Sequence, residues 1–301
     1  MTTYHLSVVS VSDYEPGAEK TWNDEKALII AIAEQDLAIP FEVILVESTK
    51  HRGQPVPSEF FDLIPDLKVH YCDSEQSATL KDYGVSVSNG TYIAVLESDC
   101  IPAKNWLRLL LEAVDAQEYD IVSGRTYYGE ETAYQRVMNL MHRSWDDPGS
   151  SGSTEEISNN GAVYHREILE KYPYPDAVTP FISAAIRNKK IREGGHRFYF
   201  ERTAKMKHAI GGAGFIWDYQ RNKGHQCMST VGSYKYSNAP KLIAQKFIRE
   251  IWACKRLGNE YLNLYDWPLL PIIMLLEIVP FTVGMFDALR KVPSIPGSAY
   301  R

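Results

Sequence analysis

Residues 91–100 read TYIAVLESDC, and this stretch decides the fold. Residues 91–96 form an unbroken run that is mostly apolar, aromatic and β-branched. That composition suits a strand covered on both faces in a parallel sheet. Glu97, Ser98 and Asp99 follow at the strand's tip. Upstream, residues 77–88 read as a helix, closed by Asn89-Gly90 as a C-terminal stop. The order is helix, turn, buried strand, acidic exit.

The same unit recurs on either side. Residues 6–11 (LSVVSV) are a buried strand, followed by the polar turn SDYEPG and a helix over 25–37. Residues 41–46 (FEVILV) are a second strand ending at Glu47-Ser48, and 67–71 (LKVHY) a third. After the acidic exit come a helix over 106–116 and a fifth strand over 119–123. Such alternation predicts a doubly wound α/β sheet with right-handed crossovers. Ligands of these sheets bind outside the carboxyl ends of the strands. The residues to watch are therefore Ser10, Ser12, Asp13, Glu47, Glu97 and Asp99.

The second half is less regular. Residues 146–161 (DDPGSSGSTEEISNNG) read as a mobile loop, and Gly211–Gly214 as another flexible point. Residues 241–256 have helical periodicity with a basic face. Residues 268–286 (PLLPIIMLLEIVPFTVGMF) are the most apolar stretch, interrupted by Glu277 and by prolines at 268, 271 and 280. A spanning helix, an interfacial segment and a buried core helix all stay open for it. Flanking Lys255, Arg256, Arg290 and Lys291, with Tyr261, Tyr265 and Trp267, favour a membrane reading.

Composition bounds the function. The chain has 301 residues, 45% hydrophobic and 23% charged, which excludes a disordered, collagenous or coiled-coil architecture. Its net charge of −6 argues against a broad nucleic-acid footprint. Cys72, Cys100, Cys227 and Cys254 form no CxxC pair, so reduced thiols in a cytosolic compartment are expected. The N-terminal MTTYHLSVVSVSDYEPG lacks a charged n-region and a long apolar core, and reads as a mature terminus.

Glu97 and Asp99 are one residue apart on an extended chain, so alternation sends both carboxylates to the same side. Paired carboxylates repel unless a cation sits with them. Mg²⁺ or Mn²⁺ is the natural partner, and such ions commonly bridge substrate phosphates.

Residues 72–106 resemble the core of the family 2 glycosyltransferases, whose fold is GT-A. That family's run has a helix ending in Arg-Asn and a glycine, then a second glycine, an aromatic strand, Asp-x-Asp, a proline and a Trp-Leu pair. Here Lys81-Asp82 stands for Arg-Asn, Gly84 and Gly90 match, Glu97-Ser98-Asp99 is the acidic motif, and Pro102 and Trp106-Leu107 match the exit. The resemblance is good over residues 5–125 and loose over 155–225. It implies a GT-A-like domain over 1–235, with a nucleotide-sugar half (1–125) and an acceptor half (126–235). Residues 236–301 would be a helical, membrane-associated tail.

By position, the resemblance implies that Ser10, Ser12, Asp13 and Glu47 hold the donor's nucleoside. Glu97 would lie near the ribose or the metal, Asp99 would bind the metal on the diphosphate, and Lys81 would add a charge contact. Asn159 and Asn160 would face the acceptor, and His208 would complete the metal shell. Arg221 or Lys223 would meet the diphosphate. The activity implied is transfer of a sugar from a nucleotide diphosphate donor to a hydroxyl of a glycan or lipid-linked acceptor, with inversion, at the inner face of the membrane.

One departure stands out. The family's base-bearing acidic pair should fall near Ser183-Ala184, yet no Asp or Glu occurs between Asp176 and Glu193. A hydroxyl nucleophile needs a positioned base. Asp176 is the nearest candidate, with Glu155 and Glu156 as others. A catalytically degenerate subunit that binds nucleotide sugar or glycan is the second reading. A nucleotidyltransferase would carry a basic, Gly-rich loop after the first strand, and a dinucleotide oxidoreductase a G-x-G-x-x-G; neither is present.

Overall fold

The computed structural model describes residues 5–12, 21–117, 119–158, 160–175, 180–231 and 233–293. The expected sites Asp13, Asn159 and Asp176 lie outside them. The chain divides into two compact units. One runs to Tyr127 and resumes over Asp146–His208; the other holds Tyr128–Trp145 and everything from Ala209 on.

The elements in chain order begin with β1 (Leu6–Val11), α1 (Asn23–Ala33), β2 (Phe41–Ser48), α2 (Ser58–Leu63), β3 (Lys68–Cys72), α3 (Ser77–Val87) and β4 (Tyr92–Glu97). Then come β5 (Cys100–Pro102), α4 (Trp106–Gln117), β6 (Ile121–Tyr127), α5 (Ala133–Met138), β7 (Gly152–Thr154), β8 (Ala162–His165) and α6 (Arg166–Lys171). The chain goes on through α7 (Pro180–Glu193), β9 (Phe198–His208), α8 (Ala213–Thr230), α9 (Ala239–Tyr261) and α10 (Leu270–Leu289).

In the first unit the sheet order is β3-β2-β1-β4-β8-β6-β9-β5, with β7 beside β9. The four strands read most clearly in the sequence are parallel, as their apolar runs require. β8 then enters antiparallel between β4 and β6, and β5 and β7 pair antiparallel with β9. Val8 and Leu45 pack with α1 and α4 on one face, and Val9 and Ile44 with α3 on the other. This is the GT-A-like α/β sheet that the sequence implies. Three details differ. The first helix stops at Ala33, and just beyond it Gln35 accepts from the Leu107 amide at the start of α4. The fifth strand runs on to Tyr127, where it pairs with β9. The Gly/Ser-rich stretch expected as a loop contains β7, registered as Gly152 to Phe200.

Glu42 anchors the opposite end of the sheet. It is buried on β2, accepts from Ser7 Oγ at 2.6 Å and Lys68 Nζ at 2.5 Å, and takes the Asn89 amide as well. It thereby fixes the Asn89-Gly90 turn that leads into β4.

The second unit is helical. α8 packs on α10 at two glycines. A Cβ on Gly224 would lie 1.9 Å from the Phe281 carbonyl oxygen, and one on Gly284 1.8 Å from that of Arg221. Only glycine lets the two backbones approach so closely. The segment Leu264–Leu289 contains an 18-residue window of mean hydropathy 2.1 and is long enough to cross a membrane by length and composition.

Candidate functional site

The parallel register sets the site. Val11 pairs with Val46 on one side and with Glu97 on the other. Ser12, Glu47 and Glu97 therefore emerge at the same carboxyl end of the sheet, where α/β folds bind ligands. Ser10, one turn of the pleat earlier, is buried, and its Oγ has no hydrogen-bond partner among the described residues.

Two acidic clusters stand there. In the first, Ser12 Oγ lies 2.8 Å from both Glu25 Oε1 and Glu47 Oε2, and all three residues are buried. One hydroxyl proton can serve one carboxylate only, so the trio favours one protonated carboxyl. Burial pushes Glu47 up to about 7, against the pull of its hydrogen bonds from Ser12 and from the Ser48 amide. Folded Glu47 thus holds a proton that the unfolded chain releases above its ordinary value of 4.5. Stability contributed at this position falls as pH rises from about 4.5 to about 7, by roughly 3 kcal/mol at ~1.4 kcal/mol per pH unit. Glu47→Gln is expected to gain about that much on the wild type across the same interval, read by urea unfolding at pH 4.5, 6 and 8. A gap that does not change with pH would remove the assignment.

In the second cluster Glu97 is saturated. Ser77 Oγ and Lys81 Nζ both donate to its Oε1 at 2.7 Å, and the Asn160 amide donates to Oε2. Lys81 also donates to Asn160 Oδ1 at 2.7 Å. Ser77 and Lys81 sit four apart on α3 and so share one helix face. Asn160 is held in place by Gly161, whose φ of +82° suits glycine and whose amide donates to Val95 O on β4. Burial alone would raise the Glu97 carboxyl, but the Lys81 ammonium and the hydrogen bonds override it and hold it down to about 2. Glu97 is a fixed anion already neutralised by Lys81.

Asp99 turns elsewhere. Its Oδ2 is 3.2 Å from His208 Nδ1, and Cys100 Sγ is 3.6 Å from its Oδ1. The cause is the pairing of β5 with the end of β9, which sets Cys100 opposite His208. One ligand atom from each of Asp99, Cys100 and His208 falls within 4.8 Å of the others, and all three residues are buried. The carboxylate oxygen suits Mn²⁺ or Mg²⁺, the imidazole nitrogen favours a transition ion such as Mn²⁺ over Mg²⁺, and a thiol is the donor of softer metals. Asp99 and His208 are the residues that would hold the ion.

The structure thus joins Asp99 to His208, and Lys81 and Asn160 to Glu97. Glu97, expected near the metal, spends both oxygens on its own partners. Arg221 pairs with Asp287 at 2.7 Å within the helical unit. Lys223 of that unit is brought down to about 7, first by burial and then by Arg249 and Lys246. Sequence reasoning missed Glu25, Ser77 and Cys100. Of these, Ser77 carried a legible signal, its spacing of four from Lys81.

Comparison with known proteins identifies the class. The description of glycosyl transferase family 2 matches residues 21–195, more than half of the chain. The chain belongs to that family. It is 29% identical over 128 residues to the glycosyltransferase GlyG of Streptococcus pneumoniae serotype 4, covering 35% of this chain and 41% of the relative. It is 22% identical over 172 residues to the glycosyltransferase AglE of Haloferax volcanii, covering 55% and 56%. The matches therefore span about half the length of these curated relatives. Among solved structures, the mannosyltransferase PcManGT from Pyrobaculum calidifontis, in complex with GDP-Man and Mn²⁺, superposes with a TM-score of 0.59 at 16% identity. That likeness covers 97% of this chain and 89% of the other, and it shows the GT-A fold.

Proposed function

We propose that this chain transfers a sugar from a nucleotide diphosphate donor to a hydroxyl of a glycan or lipid-linked acceptor, with Mn²⁺ or Mg²⁺. The observation that carries the reading is the Asp99–His208 pair beside the Glu97–Lys81–Asn160 cluster at the carboxyl end of the sheet. The mannosyltransferase complex with GDP-Man and Mn²⁺ supports a donor and a cation of this class. A cation at Asp99 and His208 would supply Lewis-acid stabilisation of the departing diphosphate. Lys81 keeps Glu97 ionised and orients Asn160, and the Ser12–Glu47 pair offers hydrogen bonds to the nucleoside. Asp176 would accept the acceptor's proton, with inversion at the anomeric carbon. The reaction would take place at the cytoplasmic face of a membrane, with residues 236–301 holding the chain there.

A second reading, a degenerate subunit that binds donor without turnover, is favoured by the absence of any Asp or Glu between Asp176 and Glu193. One experiment separates the two. Nucleotide release is measured from UDP-, GDP- and dTDP-sugars with Mn²⁺ or EDTA, in detergent with a membrane acceptor extract. The expected outcome is metal-dependent release from one donor, lowered by ~10²–10⁴-fold in Asp176→Asn, as loss of a general base requires. Calorimetric donor binding with no release would favour the degenerate subunit. Neither binding nor release would end the donor-site assignment.

A further inference from the structure

In the helical unit, α9 and α10 each leave large apolar side chains on their exposed faces. α9 buries Lys246 and Glu250 while Phe247, Ile248, Ile251 and Trp252 face outward, Ile248 and Trp252 each 61% exposed. At 100° per residue these four, with Ala244, form one continuous stripe opposite the buried one. α10 does the same. Glu277 is buried, and Ile272, Leu275 and Val279 are exposed. The buried charges pair with one another. Lys246 Nζ lies 2.8 Å from both Glu250 Oε1 and Glu277 Oε2, Gln220 Nε2 donates to Glu277 at 3.0 Å, and His142 pairs with the same carboxylate. The core of the unit is otherwise apolar, with Leu257, Tyr261, Ile273 and Phe281 buried, so the exposed apolar stripe is surplus to it and belongs against a non-aqueous partner.

We infer that the outward stripe of α9, with the exposed side of α10, lies in the plane of an anionic lipid surface and does not cross it. Two observations choose this occupant. The first is charge. α9 carries five basic and two acidic residues in a chain of net charge −6, and its exposed Lys241, Arg249, Lys255 and Arg256 border the apolar stripe. Aromatic and aliphatic residues flanked by Lys and Arg are the pattern of interfacial helices, and Tyr265, 90% exposed after α9, adds a headgroup-level ring. The second concerns depth. α10 is joined to α8 over its C-terminal half by the Gln220–Glu277 hydrogen bond, the Gly224–Gly284 crossing and the Arg221–Asp287 ion pair at 2.7 Å. α8 also carries Asp218, Lys223 and His225. A helix tied to such a partner cannot enter hydrocarbon alone, and charged groups there are strongly disfavoured. This decides among the readings left open for residues 268–286. It deepens the membrane-associated reading above and does not depend on sugar transfer.

The test is flotation of the full chain with vesicles of phosphatidylcholine alone and of phosphatidylcholine with 30% phosphatidylglycerol, without detergent. Binding is expected to the anionic vesicles, about 10-fold weaker to the neutral ones, and weakened about 10-fold by Trp252→Glu or by Lys241→Gln with Lys255→Gln. Both substitutions fall on exposed side chains, and equal thermal unfolding of variants and wild type verifies the fold. Carbonate washing is expected to strip the chain from vesicles. Resistance to carbonate would overturn the in-plane placement. Absence of vesicle binding would overturn the inference, as would a dimer in light scattering that Trp252→Glu dissociates without any vesicle binding. Nucleotide release measured in vesicle-free solution keeps failure here distinct from failure of the donor site.

Discussion

Asp99→Ala is expected to lower Mn²⁺-dependent nucleotide release by ~10²–10³-fold, the usual cost of removing one preorganised electrostatic stabiliser. Asp99 supplies the carboxylate of the only Asp/Cys/His grouping with metal-ligand spacing among the described residues. Its side chain is buried against His208 at 3.2 Å, so no neighbouring carboxylate of that grouping can substitute. His208→Ala should lose less, because it removes a neutral donor and leaves the charge. Cys100→Ser should stay within about 10-fold of wild type, since a thiol is not the preferred donor for a hard cation. A second readout does not depend on turnover. A ligand that binds only the folded state stabilises it by about 2.7 kcal/mol at one hundred times its Kd. Mn²⁺ should therefore raise the Tm of wild type and of Cys100→Ser, and leave that of Asp99→Ala unmoved. Undiminished metal-dependent release by Asp99→Ala would take the ion away from this residue.

The parallel half of the sheet was legible because its signal is local. Residues 6–11 and 41–46 are mostly apolar, β-branched runs, and each became a strand with the expected first residue. The acidic exit at Glu97–Asp99 was legible for the same reason. What the two carboxylates do was not. Alternation argued that both face one side, yet β4 ends at Glu97 and β5 begins at Cys100, so the chain turns between the acids. Each then meets partners that are distant in sequence. Lys81 and Asn160 reach Glu97 from 16 and 63 residues away, and His208 reaches Asp99 through a strand pairing that no local pattern announces.

The antiparallel half hid for a related reason. β7 is three residues long and rich in glycine and serine, so its strand character comes from β9 and not from its own composition. The helical unit was legible only in part. Its hydropathy was visible, but which side of α9 and α10 is buried depends on where Lys246, Glu277 and His142 find each other. Periodicity reports that a helix has two faces. It does not report which of them the fold encloses.

Lys81→Met is expected to destabilise the chain by about 3–5 kcal/mol at neutral pH, the usual result of removing one partner from a buried ion pair. The side chains of Lys81 and Glu97 are 6% and 13% exposed, so water cannot replace the lost ammonium. Ser77 and Asn160 would still donate, but neither carries charge, and burial would then raise the Glu97 carboxyl. At about 2–4 °C per kcal/mol, the Tm should fall by roughly 10 °C. The sign with pH is fixed by the direction of the shift. Because folded Glu97 is held down to about 2, its contribution is fully present above its ordinary value of 4.5 and is lost as pH falls toward 2. The variant, with a raised carboxyl, gains as pH falls through that raised value toward 4.5, above the range in which the wild type loses. The gap between wild type and Lys81→Met should therefore be widest above the variant's raised value and narrow steadily as the medium is made more acid. A contrast is available in the same unit. Lys50 and Glu75 approach to 2.6 Å, closer than Lys81 and Glu97, but are 64% and 41% exposed. Lys50→Met should cost no more than about 1 kcal/mol despite the shorter distance, because solvent already screens that pair. Thermal and urea unfolding of both variants at pH 4 and pH 7.5 decides whether burial or proximity governs. Equal losses for the two lysines would show that the Glu97 cluster is as open to water as the Lys50–Glu75 pair, and Lys81 would lose its place in the site.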